Sequence, residues 1–524
     1  MEETPHLEDA QPEVEGGLPD VSTGSLLNTS APIFKLPDEI LLKIFMLVRD
    51  AGVDFPFEDL PIDEPPFEKF HRIAWICQHW RNVAVGAPLL WTRLYSSLHD
   101  YSLLMLGRTR SAPIDVHIPW EASDAAVSVF LEHVERIKRL KCHLTPSRLR
   151  DMEASLARFG RNAPTLEELH LNSSNSNSSY AFSSTLLAAI RPTNLLRTLK
   201  LSGIAIDWQV FPLPHLSCLS LFNVRITTAI SGKEFASALQ GMPRLEELSI
   251  RFDSLRLHQY PSSPHANTVH LPRLTKLVIW DHESPSLVHP HYFLTHTALP
   301  ALQQLYIHVQ WMPRGPDYYN PYTPILHATR IAIARGNFGT FQNLQLFWDH
   351  VLVSSSANGA YVELRYPVGV LSGKLSRSEL TSIILSYFTP VDCPYLVELA
   401  LMPGDLTKDE LLRHFGHLPH LKNIEVCSSG LDTFLDSLQV LDDSPPETPL
   451  PFPNLECIHL FGHDFREPVG PAPESLLVDD LVRCLKERRE HGAAIKKLIL
   501  RGCICVKNVV ERLEDIVPDV QLRP

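Results

Sequence analysis

The stretch LEELHL at residues 166–171 returns as LRTLKL at 196, LSCLSL at 216, LEELSI at 245, LTKLVI at 274 and LQQLYI at 302. The phrase is an apolar residue, two free positions, a Leu, one free position and a last apolar residue. Its second half alternates apolar with polar, the pattern of a strand with one buried face. Successive starts lie 30, 20, 29, 29 and 28 residues apart. An earlier copy, IKRLKC at 137, and later ones, LVELAL at 396, LKNIEV at 421, LECIHL at 455 and IKKLIL at 495, extend the series. A unit this short cannot bury its own apolar edge, so the copies must stack on one another. A chain of 524 residues is too long for one closed core, and growth by repetition resolves that.

Proline punctuates the series two positions before most starts, at Pro164, Pro214, Pro243, Pro272, Pro300, Pro394, Pro419 and Pro453. It cannot continue a helix and disfavours helix in the residue before it, so it ends one element and launches the next strand. Helical patterns fall between strands, as in KEFASALQ (233–240), ELLRHF (410–415) and SLLVDDLVRCLKERRE (475–490). Between 308 and 394 the phrase fades, with FQNLQL at 341 and YVELRY at 361 as degenerate copies and 311–324 as a long surface loop. With its period and its Leu positions, the region resembles the leucine-rich repeats of F-box proteins. It departs from them after the strand, where the Asn or Cys of the family is replaced by Ser174, Val224, Asp253 and His282 and only Cys503 fits. The resemblance therefore implies a solenoid of irregular curvature.

Upstream, LPDEILLKIFMLV (36–48) and FHRIAWICQHWRNVAVGAPLLWTRL (70–94) flank an acidic, Pro-rich interruption. Pro37 suits a first helical turn, where its missing N–H has no partner, and Asp38 and Glu39 place negative charge at the positive end of the helix dipole. Ile40, Leu41, Ile44, Phe45 and Val48 recur at helical spacing. A second helix is expected from about Phe70 to Val85, with Ile73, Ile76, Cys77, Trp80 and Ala84 on one side, and Gly86-Ala87-Pro88 stops it. A module of about 60 residues buries too little of its surface to hide Leu36, Pro37, Phe45, Trp80 and Trp91 together, so part of that area is expected to be a docking patch.

The LP start, the I-C-x-x-W centre and the L-W end resemble an F-box, and the whole chain resembles the divergent F-box proteins typical of large fungal families. In that family the module docks on a Skp-type adaptor and through it joins a cullin. The resemblance makes Leu36, Pro37, Ile40, Leu41, Ile44, Phe45, Leu90 and Trp91 adaptor-contact candidates, with Cys77 and Trp80 fixing the helix that presents them. Where the family has a short turn between its first two helices, this chain has residues 49–69, an expected solvated loop.

The net charge of −13 is uneven. Residues 1–30 and 50–68 carry seven acids each and no Lys or Arg, leaving the remainder near neutral. No basic face suited to tracking phosphates of a nucleic acid is evident. Residues 1–30, acidic and poor in aromatics, are expected to be disordered. No secretory signal or membrane-spanning run is seen, and nine cysteines without framework spacing suit the reducing cytoplasm or nucleus. The histidines of His289-Pro290-His291 lack a metal motif, and no catalytic motif or nucleotide-binding glycine loop occurs, so no cofactor, metal or enzyme activity is expected.

The expected architecture is α/β: a disordered acidic tail (1–30), an N-terminal helical F-box-like module (31–95) and an irregular leucine-rich-repeat solenoid (110–524). The expected function is that of a substrate receptor of a Skp–cullin–F-box ubiquitin ligase; the alternative is a non-catalytic scaffold using the same helices outside a ligase. Trp311, Arg314, Tyr318, Tyr319 and Tyr322, types enriched at binding hot spots, are the candidate target contacts.

Overall fold

Every copy of the phrase sets down a strand at its alternating end. A computed structural model describes residues 32–50, 72–95, 99–159, 163–173, 181–182, 184–190, 193–228, 230–255, 257, 269–281, 288–309, 322–347, 349–366, 377–388, 393–401, 406–427, 430–439, 450–465, 477–504 and 507–523. The protein is mixed α/β, with helices and one large, mostly parallel sheet. It divides into two compact units, residues 1–94 with 98–114, and residues 95–97 with 115–524.

In the larger unit the strands are β1 (Ile114–Ile118), β2 (Ile137–His143), β3 (Glu168–Asn172), β4 (Thr198–Ser202), β5 (Cys218–Phe222), β6 (Glu247–Arg251), β7 (Lys276–Asp281) and β8 (Gln304–Val309). β2 to β8 pair in sequence order, all parallel and in constant register, so Arg139, Glu168, Thr198, Cys218, Glu247, Lys276 and Gln304 form one row. One hydrogen bond repeats at each strand entrance: Arg197 N–H to the Glu167 carbonyl at 2.8 Å, Ser217 to Arg197 at 2.8 Å and Glu246 to Ser217 at 2.7 Å. The Leu and Ile positions of the phrase are buried, while the residues between them stay half-exposed. Parallel sheets are usually covered on both faces; among the described residues this one is covered on the phrase's apolar face and open on the other.

The prolines act through a specific turn. In the copies beginning at 166, 216, 245, 274, 302, 396 and 455, the leading Leu N–H donates to the carbonyl three residues earlier at 3.1–3.4 Å, with proline in the second turn position. That position wants a φ near −65°, which the proline ring supplies. The residue before each proline, such as Ala163, Met242, Leu299 or Phe452, is itself buried.

The faded region departs from a simple series. FQNLQL and YVELRY form β9 (Asn343–Leu346) and β11 (Tyr361–Arg365), with β10 (His350–Ser354) between them. β11, not β9, lies beside β8 in parallel; β10 then runs antiparallel to both β11 and β9. β9 pairs in parallel with β12 (Glu398–Leu401), so the ladder order is β8-β11-β10-β9-β12. The reason is connection length. Only residues 347–349 join β9 to β10 and 355–360 join β10 to β11, whereas a parallel crossover needs a dozen residues or more. Short links force hairpins, and Gly359 takes the positive φ of 66° in the second one. The ladder resumes with β13 (Asn423–Cys427), β14 (Cys457–Phe461), β15 (Lys497–Arg501) and β16 (Asp519–Arg523), again parallel and in sequence order.

The helical patterns fall where the phrase leaves room, at Gly232–Gln240, Lys408–Phe415 and Leu477–Glu490. The first two open with capping boxes built on Ser231 with Glu234 and Thr407 with Glu410.

Candidate docking surfaces

The smaller unit begins with helix α1 (Asp38–Asp50). The expected second helix is broken into α2 (Ile73–Ile76) and α3 (Gln78–Gly86) by Cys77, whose backbone is extended. The Cys77 sulfur accepts the Trp80 N–H at 3.4 Å and so caps α3. The break shifts the helical phase, and Ile76 points out at 53% exposure instead of lining the face with Trp80. A 3-10 turn, Pro88–Trp91, and helix α4 (His99–Thr109) follow.

The eight adaptor-contact candidates and the two supporting residues, Cys77 and Trp80, separate into two groups by burial. Leu41, Phe45, Trp80, Leu90 and Trp91 are interior. The Phe45 and Trp80 rings lie 5.1 Å apart. Trp91 donates its indole N–H to the Ala84 carbonyl at 2.8 Å, and the Arg108 guanidinium sits 4.6 Å over its ring. Leu41, Phe45, Leu90 and Trp91, expected as direct contacts, are thus enclosed within the unit, as is Trp80, expected as a support. Pro37 and Ile40 are exposed, Leu36, Ile44 and Cys77 half-buried. The apolar surface includes residues that the spacing did not single out: Leu47 at 69% exposure, Trp75 at 72%, and Leu89. Of the sixteen exposed large apolar side chains among the described residues, ten belong to this unit. An ion-pair and hydrogen-bond set fixes the end of α1: Asp50 pairs with Arg49 at 2.8 Å and Arg93 at 2.9 Å, and Arg49 donates to the Leu89 carbonyl. The acidic segment between α1 and α2 and the amino-terminal tail lie outside the described residues.

The larger unit presents its open sheet face. Near the carboxyl ends of β5 to β8 and β11, aromatic and arginine side chains gather. Trp280 lies 5.8 Å from Phe222, 5.5 Å from Tyr306 and 4.6 Å from His308. Arg251 stands 5.5 Å over Phe222 and Arg365 5.6 Å over Tyr306. Glu363 holds Arg365 at 2.6 Å, and burial pushes the Tyr306 hydroxyl up to about 12. In the sequence, Tyr306 and Arg365 fill the last free position of their copies, and Phe222, Arg251 and Trp280 the position just after the phrase. Of the expected target contacts, Trp311, Arg314, Tyr318 and Tyr319 lie outside the described residues, and Tyr322 opens the helix Tyr322–Arg335. They follow β8 directly in sequence.

At the other end, β13 to β16 line an open depression of about 570 Å³. Its charges are matched in place, Lys496 with Glu456 at 3.0 Å and Lys497 with Asp519 at 3.5 Å. Cys503 follows β15 half-buried, with its thiol toward the Leu460 carbonyl at 3.3 Å, while Cys505 lies outside the described residues. His289 and His291 sit in the helix Val288–His296. Among the described residues no three His, Cys, Asp or Glu side chains gather in a metal-binding group, and no helix is long and apolar enough to cross a membrane.

No family model matches this chain, and no curated protein matches it in sequence. Among solved structures, a crystal structure of a Bacteroides fragilis protein covers 74% of each chain at 11% identity, with a TM-score of 0.23. That likeness is too slight to carry an argument.

Proposed function

We propose that this protein is a substrate-recognition subunit of a Skp–cullin–F-box ubiquitin ligase, docking a Skp-type adaptor on its helical unit and a protein target on its sheet unit. The observation that carries the reading is the concentration of exposed apolar side chains on the helical unit, ten of sixteen among the described residues. A surface of that kind marks an interaction site, and the LP, I-C-x-x-W and L-W signals name the family of partner. On this reading Leu36, Pro37, Ile40 and Ile44 contact the adaptor, while Leu41, Phe45, Trp80, Leu90 and Trp91 hold the helices that present them.

The sheet unit is read as a divergent leucine-rich-repeat solenoid. The repeat of 28–30 residues over most of the first half and the parallel ladder in constant register support it. The Trp280, Tyr306, Arg251 and Arg365 cluster supports a target-binding role, since those residue types dominate interface energetics. Such a receptor works by proximity, raising the local concentration of a target lysine, and needs no catalytic side chain of its own.

The test is affinity capture of adaptor and cullin from cells expressing the wild-type chain or Leu36→Ala/Pro37→Ala/Ile40→Ala. The reading expects both proteins with wild type and neither with the variant. Capture of neither by wild type defeats it. Adaptor without cullin turns the protein into a scaffold that uses the same helices outside a ligase.

A further inference from the structure

A stacked sheet runs out of neighbours at its terminal strand. Among the described residues the ladder ends on β16, which pairs with β15 on one side and with no strand on the other. The side chains register the loss. Leu522 is 57% exposed, whereas Leu500, its register partner on β15, is 1% exposed. The helix Lys507–Glu514 packs against β16 and still leaves Leu522 open.

The direction of the β16 backbone follows from one bond, in which the Gly502 N–H donates to the Arg523 carbonyl at 3.0 Å. Arg523 thus turns its N–H and C=O toward β15, and because these groups alternate along a strand, Gln521 and Asp519 do the same. Val520 and Leu522 turn theirs to the open edge. Asp519, Gln521 and Arg523 share the outward face. There the Gln521 amide donates to the Asp519 carboxylate at 3.1 Å, and Arg523 donates to the Gln521 oxygen at 3.1 Å. Asp519 also pairs with Lys497 at 3.5 Å. Arg523 lies beside Arg501 in the register, and among the described residues neither has a carboxylate within ion-pair distance. Like charges side by side on neighbouring strands repel.

An open edge is a template for another strand, and the sequence DVQLR at 519–523 is complementary to itself. Laid antiparallel to a second copy about Gln521, it sets Asp519 opposite the copy's Arg523 and Val520 opposite the copy's Leu522. Both Val520–Leu522 pairs are then the hydrogen-bonded ones, because theirs are the backbone groups that face the edge. The Asp519–Arg523 pairs fall at the closer positions, with Cα atoms about 4.5 Å apart. Sliding one strand by a single residue sets edge-facing groups against inward-facing ones. Sliding it by two puts Gln521 where a charge is needed. An edge protected by charge typically carries lysines, which repel a copy; this one carries one charge of each sign, placed to attract it. We propose that β16 is a dimerisation edge, on which two copies of this chain pair antiparallel about Gln521 and join their sheets. The copy's Asp519 supplies the carboxylate that the Arg501–Arg523 pair lacks, and its Val520 covers Leu522. The dimer does not depend on the ligase reading.

Sedimentation velocity of the full chain from about 1 to about 200 µM tests this, since one strand pair makes a small interface and a reversible dimer. Wild type is expected to pass from monomer to dimer as the concentration rises. Arg523→Glu sets two acids against each other in both pairs, and Asp519→Lys sets two bases. Each variant alone should weaken the dimer by about tenfold or more. Mixed together they restore opposite charges at every position, and the mixture should dimerise as wild type does. Leu522→Pro removes an N–H that faces the edge and no bond of the ladder, so it should abolish the dimer. Thermal midpoints of the two charge variants at low concentration should match wild type, which separates a lost contact from a lost fold. Wild-type protein that stays monomeric over the whole range overturns the proposal. A dimer that persists unweakened in both charge variants also overturns it, by placing the contact on another surface.

Discussion

The helical unit and the sheet unit dispose of their apolar side chains in opposite ways. The sheet unit buries a Leu or Ile at nearly every phrase position and leaves a polar face open, with ion pairs such as Lys276 with Glu247 and Lys497 with Asp519 linking neighbouring strands. The helical unit encloses only a small interior around Leu41, Phe45, Trp80 and Trp91 and exposes Leu47, Trp75, Ile76 and Leu89. The sheet grows by adding strands, so each copy finds a neighbour to cover its apolar edge. Among the described residues the helical unit offers these side chains no such neighbour, a disposition that suits the proposed docking role.

The largest expected effect tests whether the helical interior and its surface are separable. Phe45→Ala removes a fully buried ring against Trp80 and should cost about 3–5 kcal/mol, read by chemical denaturation of the helical signal. Trp75→Ala/Ile76→Ala should change stability by no more than about 0.5 kcal/mol, while reducing adaptor capture. Equal destabilisation by both variants would mean that Trp75 and Ile76 belong to the core after all, and the contrast between the units would fail.

The same question can be put to one strand of the sheet. Leu277 on β7 is fully buried, and Leu277→Ala should cost about 2–5 kcal/mol; its neighbour Lys276 is exposed enough that Lys276→Ala should cost about 0.5 kcal/mol or less. Denaturation midpoints of the two variants measure how one-sided the sheet is.

A smaller effect comes from protons. His170, pushed down by burial first and then by Lys141 and Lys200, has a folded pKa of about 3 against an ordinary value of 6.5, so between those values the unfolded chain binds the extra proton. Its stabilising contribution is complete above about pH 6.5 and is lost as pH falls toward 3, amounting to about 2 kcal/mol at pH 5. His170→Asn should flatten the dependence of the thermal midpoint on pH through this window. An unchanged slope would show that the imidazole is protonated without penalty and that the Lys141–Lys200 face is not electrostatically crowded.

Much of this was legible in the sequence because the phrase carries its own geometry: alternation gives the strand, spacing gives the stacking and proline gives the turn. The order β8-β11-β10-β9-β12 was harder to read because FQNLQL and YVELRY look like ordinary copies. Only the short links around Asp349 and Gly359 distinguish a hairpin from a crossover. In the helical unit, helical spacing could not foresee that Cys77 would break the helix, since a lone Cys is neither proline nor glycine. Burial was not legible there because Phe45 is equally apolar whether it faces a partner or Trp80. The Trp280 and Lys141 clusters went unread because each is spread over several copies and exists only once the register is known.

The two units also start some of their helices differently. In the sheet unit, Ser231 accepts the Glu234 N–H at 3.2 Å while the Glu234 carboxylate accepts the Ser231 N–H at 2.7 Å, a reciprocal arrangement repeated by Thr407 and Glu410. In the helical unit α2 has no side-chain cap, and α3 has only the Cys77 sulfur, a weak acceptor at 3.4 Å. Ser231→Ala should therefore cost about 1 kcal/mol, because a good acceptor is removed from an orphan N–H. Cys77→Ser should act in the other direction: a hydroxyl oxygen replaces sulfur at a position already in the extended conformation that a cap requires. The gain is expected to be below about 1 kcal/mol, since the shorter C–O bond gives back part of it in reach and in packing. A rise in the melting point of the helical signal with unchanged adaptor capture would show that α3 is locally under-capped and that its cap is not a contact. A loss of capture with the fold intact would instead move Cys77 from the supporting group to the docking surface.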